Sequence, residues 1–268
     1  MNKPLVSIVS PSYNQVQFIE ECIQSVITQD YLNIEYFIFD GGSTDGSIEI
    51  IKKYHDKLSY WVSEKDGGQS DAINKGWKMA NGELLFYLNT DDCLSSPNVV
   101  SRIVEEYLKD NSGSVFYGDC IIIDEKGEEK LYKKAKDTNF TMLLKKRIFA
   151  DILYQTSCFF NARYVREIGY LDEKLHYCMD YKLIVELSRK GNMYRIDGPV
   201  AKFRIHSESK SHKGMIPMME EQIKIKFSYN VLYSLIYAFH YVKFRAFKLL
   251  PVLFQKNINP KLYKSLNN

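Results

Sequence analysis

Over the first 120 residues, short apolar runs alternate with stretches of helical period. Residues 5–10 form a run suited to a buried strand, which Pro11 is expected to close. Residues 15–29 follow with Phe18, Ile19, Cys22, Ile23 and Val26 on one helical face. A second strand is expected over Ile34–Asp40, then the turn Gly41-Gly42-Ser43-Thr44 and a helix over 46–54 that Thr44 or Asp45 can cap. Residues 59–63 predict a third strand. Gly67-Gly68 breaks the chain before a helix over 70–80, which Asn81-Gly82 ends. Residues 83–89 predict a fourth strand, and Pro97 opens a helix running to about residue 109. Strands alternating with helices at this spacing predict right-handed crossovers and a mainly parallel sheet flanked by helices, an α/β fold.

Beyond residue 113 the pattern loosens. Strands are expected over 114–124 and 129–132, a short helix and a strand near 155–160 within 138–170, and a helix over 179–190 ended by Gly191. Residues 193–204 suggest two short strands around Gly198-Pro199. The polar stretch 206–214 precedes a long helix-period region to residue 253, broken at Pro251. This organisation predicts a catalytic domain over 1–214, with halves 1–112 and 113–214, and a helical tail over 215–268.

Composition changes that picture little: 45% of the 268 residues are hydrophobic, with 14 Gly and 7 Pro, which excludes disordered and collagen-like architectures. Charge changes it more. The formal net charge is only +3, which argues against a nucleic-acid partner, but residues 1–201 carry 24 Lys+Arg and 30 Asp+Glu, and residues 202–268 carry 12 and 3. A basic, aromatic tail on an acidic body suggests a helix that meets an anionic membrane surface; packing on the body or on a second subunit is the plain alternative. The five cysteines have no CxxC spacing, so reduced structural thiols are expected and zinc is disfavoured. The N-terminal run is too short and interrupted for a secretory signal. The longest uncharged stretch of the tail, 227–242, has 16 residues, fewer than the roughly 20 needed to span a bilayer. A cytoplasmic protein, peripheral on the inner face of the membrane, is the expectation.

Chemistry gathers where the strands end, as ligand sites in open α/β sheets do. The run Leu84-Leu85-Phe86-Tyr87-Leu88-Asn89-Thr90-Asp91-Asp92 delivers two adjacent carboxylates beyond the fourth strand. Their mutual repulsion has a natural remedy in Mg²⁺ or Mn²⁺; a helix cap is the alternative. Asp40 ends the second strand before a glycine turn and can accept hydrogen bonds from a base or ribose, or merely cap the turn. No GxGxxG is present, so dinucleotide binding is weakly supported. Asp71 and Asn74 share a helical face at i, i+3.

Taken together, Pro11-Ser-Tyr-Asn, Asp40-Gly-Gly-Ser-Thr-Asp-Gly, Asp71-Ala-Ile-Asn-Lys-Gly and Leu88-Asn-Thr-Asp-Asp resemble a family 2 glycosyltransferase, strongly over residues 4–125 and more weakly to 212. The resemblance implies a GT-A fold, a nucleotide-sugar donor, a divalent metal and inversion at the anomeric carbon. It places Pro11, Tyr13 and Asp40 around the nucleobase and ribose, and Asp71, Asn74, Asn89 and Asp92 along the nucleotide-sugar. Asn89-Thr90-Asp91 matches the DxD motif with Asn in the first place, which makes Asp91 the metal ligand. Many members have an Arg where this chain has Ile73, so the usual phosphate-side cation must come from elsewhere. Asp180 matches the catalytic base, with Asp172 and Glu173 as weaker candidates. His206 matches a C-terminal His that approaches the metal or pyrophosphate. Ser207, Ser209, Lys210 and Ser211 could close over the donor, with less support for His212. The expected activity is transfer from a UDP-sugar to a saccharide or lipid-linked acceptor in surface-polysaccharide or glycolipid synthesis, by a chain that can form homo-oligomers. A nucleotidyltransferase and a non-catalytic, membrane-associated sugar-nucleotide binder are the rival readings.

Overall fold

The computed structural model describes residues 3–145, 152–207 and 215–248. The chain divides into two compact units, Met1–Gly214 and Met215–Asn268.

The first unit is built on one nine-stranded sheet. Strands β1 (Val6–Ser12), β2 (Ile34–Asp40), β3 (Tyr60–Ser63) and β4 (Leu84–Tyr87) are mutually parallel in the order β3-β2-β1-β4. β1 and β4 are buried along their whole length, as continuous apolar runs in a two-sided sheet should be. The odd and even positions of these strands serve different layers. Ile8, Ile38 and Phe86 face a core completed by α1 (Ile19–Ile27), α2 (Ser47–Lys53) and α4 (Val99–Lys109). On the other side, α3 (Gln69–Met79) brings Gly76 against Val9 and Phe39, and its Trp77 ring lies 5.7 Å from Tyr87.

The sheet continues through β8 (Cys158–Asn161), β6 (Val115–Ile123), β9 (Met193–Arg204) and the two-residue β5 (Cys93–Leu94), while β7 (Glu129–Lys133) pairs with β6. β8 is antiparallel to both β4 and β6, so the parallel character is confined mainly to the first half. Phe86 of β4 and Phe159 of β8 stack at 4.1 Å and carry the core across that change of direction. α5 (Phe140–Lys145), α6 (Ala162–Ile168) and α7 (Met179–Leu187) complete the unit.

Three local expectations need correction. β1 does not stop at Pro11 but runs to Ser12, still paired with β2. The carbonyls of Val9 and Pro11 both face the β4 side, where the ladder ends at Val9, so the missing proline N–H removes no strand bond. Residues 193–204 are one strand rather than two: the Gly198-Pro199 kink is absorbed as a register shift opposite Asp119. In the second unit, helix α8 (Met215–Tyr229) gives way to α9 (Val231–Lys248) at Asn230, where no break was expected; Pro251 lies outside the described residues. Asn230 caps α9 by accepting from the Tyr233 N–H at 3.1 Å. α8 and α9 pack on each other as a hairpin, held in part by Ser234 Oγ donating to the Ile223 carbonyl and Tyr241 donating to Glu220. Among the described residues, no helix is long and apolar enough to cross a membrane. All five cysteines are buried and none is in a disulfide.

Candidate active site

The strand order reverses at β1, with β2 on one side and β4 on the other, and the loops beyond these three strands converge. The loop after β1 is laced to the turn after β2. Asn14 N–H donates to Ser43 Oγ (2.8 Å), Gln15 N–H to Ser47 Oγ (3.0 Å), Val16 N–H to Asp45 Oδ2 (2.9 Å), and Thr44 N–H to Asn14 Oδ1 (3.0 Å). Asn14 adopts a left-handed backbone, φ 50°, which its side chain tolerates while bonding locally.

Asp40 is buried beneath that turn. Its Oδ2 accepts from Gly42 N–H (3.1 Å), Ser43 N–H (2.8 Å) and Ser63 Oγ (2.6 Å), and its Oδ1 from Ser43 Oγ (2.5 Å). This carboxylate shapes the turn, and Oδ1 retains capacity for one further donor. Next to it, Gly41 lies between Tyr13 and Asp66: a Cβ there would stand 3.1 Å from Asp66 Oδ2 and 3.3 Å from the Tyr13 ring. Gly41 therefore lets the exposed Tyr13 ring and Asp66 approach closely over the turn. Asp66 was not among the expected site residues, because in sequence it looks like the start of a capped helix.

Asp71 and Asn74 do not act as a pair. Asp71 accepts from Gly67 N–H (2.9 Å) and meets Lys75 at 3.1 Å, and the Gly67 bond does most to hold its carboxyl below the ordinary value. Asn74 is buried, and its amide engages Leu171 N–H (3.0 Å), Leu171 C=O (3.0 Å) and Glu173 Oε1 (2.8 Å), pinning the 171–173 loop to α3. Ile73 is fully buried.

The segment after β4 is the centre of the arrangement. Asn89 Oδ1 accepts from Gln69 Nε2 at 2.6 Å. The Asp92 N–H closes a turn onto the Asn89 carbonyl at 3.0 Å. β5 then pairs antiparallel with the end of β9, Cys93 opposite Lys202 and Leu94 opposite Ala201. That pairing brings residues 204–206 over the Asp pair from more than 110 positions away. His206 Nε2 lies 3.0 Å from Asp91 Oδ2, with the imidazole against the Phe18 ring at 5.0 Å. The Arg204 N–H donates to Asp92 Oδ1 at 2.8 Å.

Arg204 is a hub that the sequence reading passed over. Its Nε donates to the Asp91 carbonyl (2.8 Å) and its Nη1 to the carbonyls of Asp124 (3.1 Å) and Glu125 (3.3 Å). Its Nη2 pairs with Glu21, and its guanidinium lies 4.9 Å from the Phe18 ring centroid. One buried cation thus ties α1, the Asp91 loop, the β6–β7 turn and the end of β9 together. Asp92 is buried too. Its Oδ2 makes no hydrogen bond of good geometry, and burial pushes its carboxyl well above the usual range, with the Asp91 charge adding to the shift.

These donors suit a divalent ion. Asp91 Oδ2 and His206 Nε2 supply one hard oxygen and one imidazole nitrogen, a set that Mn²⁺ accepts. Among the described residues no group of three or more His, Cys, Asp or Glu forms a closed cage, so the other positions of such an ion fall to ligand oxygens and water.

Asp180 sits in the first turn of α7 and accepts from the Tyr181 N–H at 2.7 Å. The buried Tyr87 phenol is pushed well above its ordinary value by burial first, then by Asp180, Cys158 and Asp92. Asp180 and Asp92 thus lie in electrostatic reach of one buried group at the end of β4. Of the two neighbouring acids, Asp172 pairs with Lys182 at 2.7 Å, which lowers its carboxyl, and Glu173 accepts from Asn74. A cleft of about 520 Å³ opens between α3, the 168–174 loop and α7, with Lys78, Tyr170, Asp172 and Glu186 on its walls. Ser207 is described as a turn; Ser209, Lys210, Ser211 and His212 lie outside the described residues.

Comparison with known proteins bears on family and fold. The model of "Glycosyl transferase family 2" matches residues 7–169. An uncharacterized glycosyltransferase of Rickettsia felis is 33% identical over 219 residues, covering 78% of this chain but only 36% of that protein, so the chain spans about a third of this relative's length. Among solved structures, S. aureus TarS 1–349 in complex with UDP-GlcNAc superposes with a TM-score of 0.64 at 16% identity, covering 82% of this chain and 66% of the other. A mannosyltransferase from Pyrobaculum calidifontis in complex with GDP-Man and Mn²⁺ gives 0.62 at 18% identity, covering 84% and 64%. At these identities the likeness is one of fold, and that fold is GT-A.

Proposed function

Because this chain belongs to glycosyl transferase family 2, we propose that it moves a sugar from a UDP-sugar to an acceptor hydroxyl with inversion, in the synthesis of cell-surface polysaccharide or glycolipid. The observation that carries the reading is the meeting of Asp91 and His206 at the carboxyl end of β4, with Asp180 on α7 within reach of the same buried Tyr87. Relatives in fold bind UDP-GlcNAc and GDP-Man, so a nucleotide-sugar is the donor class, and UDP is our choice within it.

In this reading the nucleobase and ribose lie over the exposed Tyr13 ring, beside Pro11, Asp40 and Asp66. Asp91 and His206 would hold Mn²⁺ or Mg²⁺, which neutralises charge on a diphosphate leaving group when bound. Arg204 holds the Asp91 carbonyl and the Asp92 carboxyl in place, with its own charge paired to Glu21, in a site that lacks the family's usual Arg at Ile73. Asp92, whose carboxyl burial pushes up, and the Asn89–Gln69 pair offer polar contacts to the sugar.

Asp180 takes the proton from the acceptor hydroxyl as its oxygen attacks the anomeric carbon and the bond to the diphosphate breaks. Asp172, held ionised by Lys182, is a poorer base. The cleft along α7 is the acceptor side, open to a saccharide or lipid-linked hydroxyl. A nucleotidyltransferase would want a basic, glycine-rich loop after β1, and the 12–16 loop has neither character.

The test is a donor screen. UDP- and GDP-sugars are incubated with and without Mn²⁺, and nucleoside diphosphate release is followed for the wild type and Asp180→Asn. Release from a UDP-sugar that needs Mn²⁺ and Asp180 is expected. Release of pyrophosphate instead, or equal release by the variant, contradicts the reading.

A further inference from the structure

The second unit carries a surface that glycosyl transfer does not use. On α9, Val231, Leu232, Leu235, Ile236, Phe239 and Val242 are each half or more exposed. At 100° per residue these six fall within about 140° of the helix circumference, one continuous apolar face. Ser234 and Tyr241, which bond to α8, lie outside that sector.

Charge decides what covers it. From residue 215 to 268 the chain has eight Lys or Arg and two Glu, one of which, Glu220, already meets Arg245 at 3.8 Å. A second copy docked face to face would bring two such net-positive segments together, whereas an anionic lipid surface neutralises them. Nucleic acid would satisfy the charge and leave the apolar face in water. α9 carries Lys243, Arg245 and Lys248 towards its end, and no described helix is long and apolar enough to cross a bilayer. A helix with one apolar face and basic flanks lies in the interface plane.

We propose that α9 is an interfacial anchor that seats its Val231-to-Val242 face in an anionic membrane. Glycosyl transfer is not a premise of this assignment, and its test needs no donor or acceptor. The full chain is sedimented with vesicles of phosphatidylcholine alone or with a third of phosphatidylglycerol. Partition is expected to be at least about tenfold stronger on the anionic vesicles and to weaken severalfold when salt rises from about 0.1 M to 0.5 M. The double variant Leu235→Asp/Phe239→Asp, at exposed positions, should lose about tenfold or more of that partition while retaining its circular dichroism and melting temperature. Should the variant misfold, hydrogen exchange on the wild type decides: anionic vesicles should slow exchange over residues 231–242. Failure to bind either vesicle, equal binding by a folded variant, or unchanged exchange over 231–242 overturns the assignment. So does a concentration-dependent dimer that the variant abolishes, since a second copy then covers the face.

Discussion

Asp180, Asp172 and Glu173 lie within nine positions of one another, yet their surroundings differ. Asp172 pairs with Lys182 and Glu173 with Asn74, while Asp180, like Asp92, raises the buried Tyr87 phenol. Asp180→Asn preserves size and most hydrogen bonding but cannot take a proton, so kcat should fall by about 10²- to 10⁴-fold with donor affinity nearly unchanged. Steady-state kinetics would contradict this if Asp172→Asn were inactive and Asp180→Asn near normal. Asp172 makes a separate, pH-dependent prediction. Lys182 lowers its carboxyl in the folded chain, so its contribution to stability is present above the ordinary Asp value of about 3.9 and fades as pH falls through the folded one. For a partly exposed pair the contribution is about 0.5 kcal/mol. Asp172→Asn should therefore melt about 1–2 °C lower at neutral pH, a gap that closes in acid; a gap that persists in acid would assign the effect to something other than the ion pair. At this scale the motif residues were legible in sequence, since Asn89-Thr90-Asp91 and His206 stand beside recognisable neighbours. Arg204 and Glu21 were not. An Arg closing a strand and a Glu in the first turn of a helix look like surface charges until β5 pairs with β9.

The elements of the first half were legible because each strand there is a continuous apolar run and each helix a periodic one. The helix of 15–29 shrinks to Ile19–Ile27 but keeps its buried face of Phe18, Ile19, Cys22, Ile23 and Val26. What failed was punctuation. Pro11 and Gly198-Pro199 looked like stops, but one lies where no partner strand needs its N–H and the other where the partner shifts register. α3 shows a constraint of the opposite kind. Gly76 lies mid-helix, where Ala would be favoured by about 1 kcal/mol. A Cβ there would stand 2.6 and 2.7 Å from the two methyls of fully buried Val9, and overpacking of that kind costs about 1–3 kcal/mol. The clash outweighs the propensity, so Gly76→Ala should lower the melting temperature by about 2–6 °C. A rise would mean that α3 has room to lift from β1.

For the whole molecule, the α/β class and the site at the strand ends followed from alternation alone, whereas the order β4-β8-β6-β9-β5 did not. Those pairings join residues as distant as Cys93 and Lys202, and no local period encodes them. They nonetheless build the site, since only that order lays His206 on Asp91. The account therefore stands on one claim about the assembled molecule, that the β4 loop and the end of β9 together form a metal-assisted diphosphate site. Calorimetric titration of UDP into the full chain, with Mn²⁺ and in excess EDTA, for wild type and Asp91→Ala, tests it most directly. Binding by the wild type with Mn²⁺, lost in EDTA and absent in Asp91→Ala at either condition, is the predicted result. Undiminished binding of UDP in EDTA, or by Asp91→Ala, would contradict it.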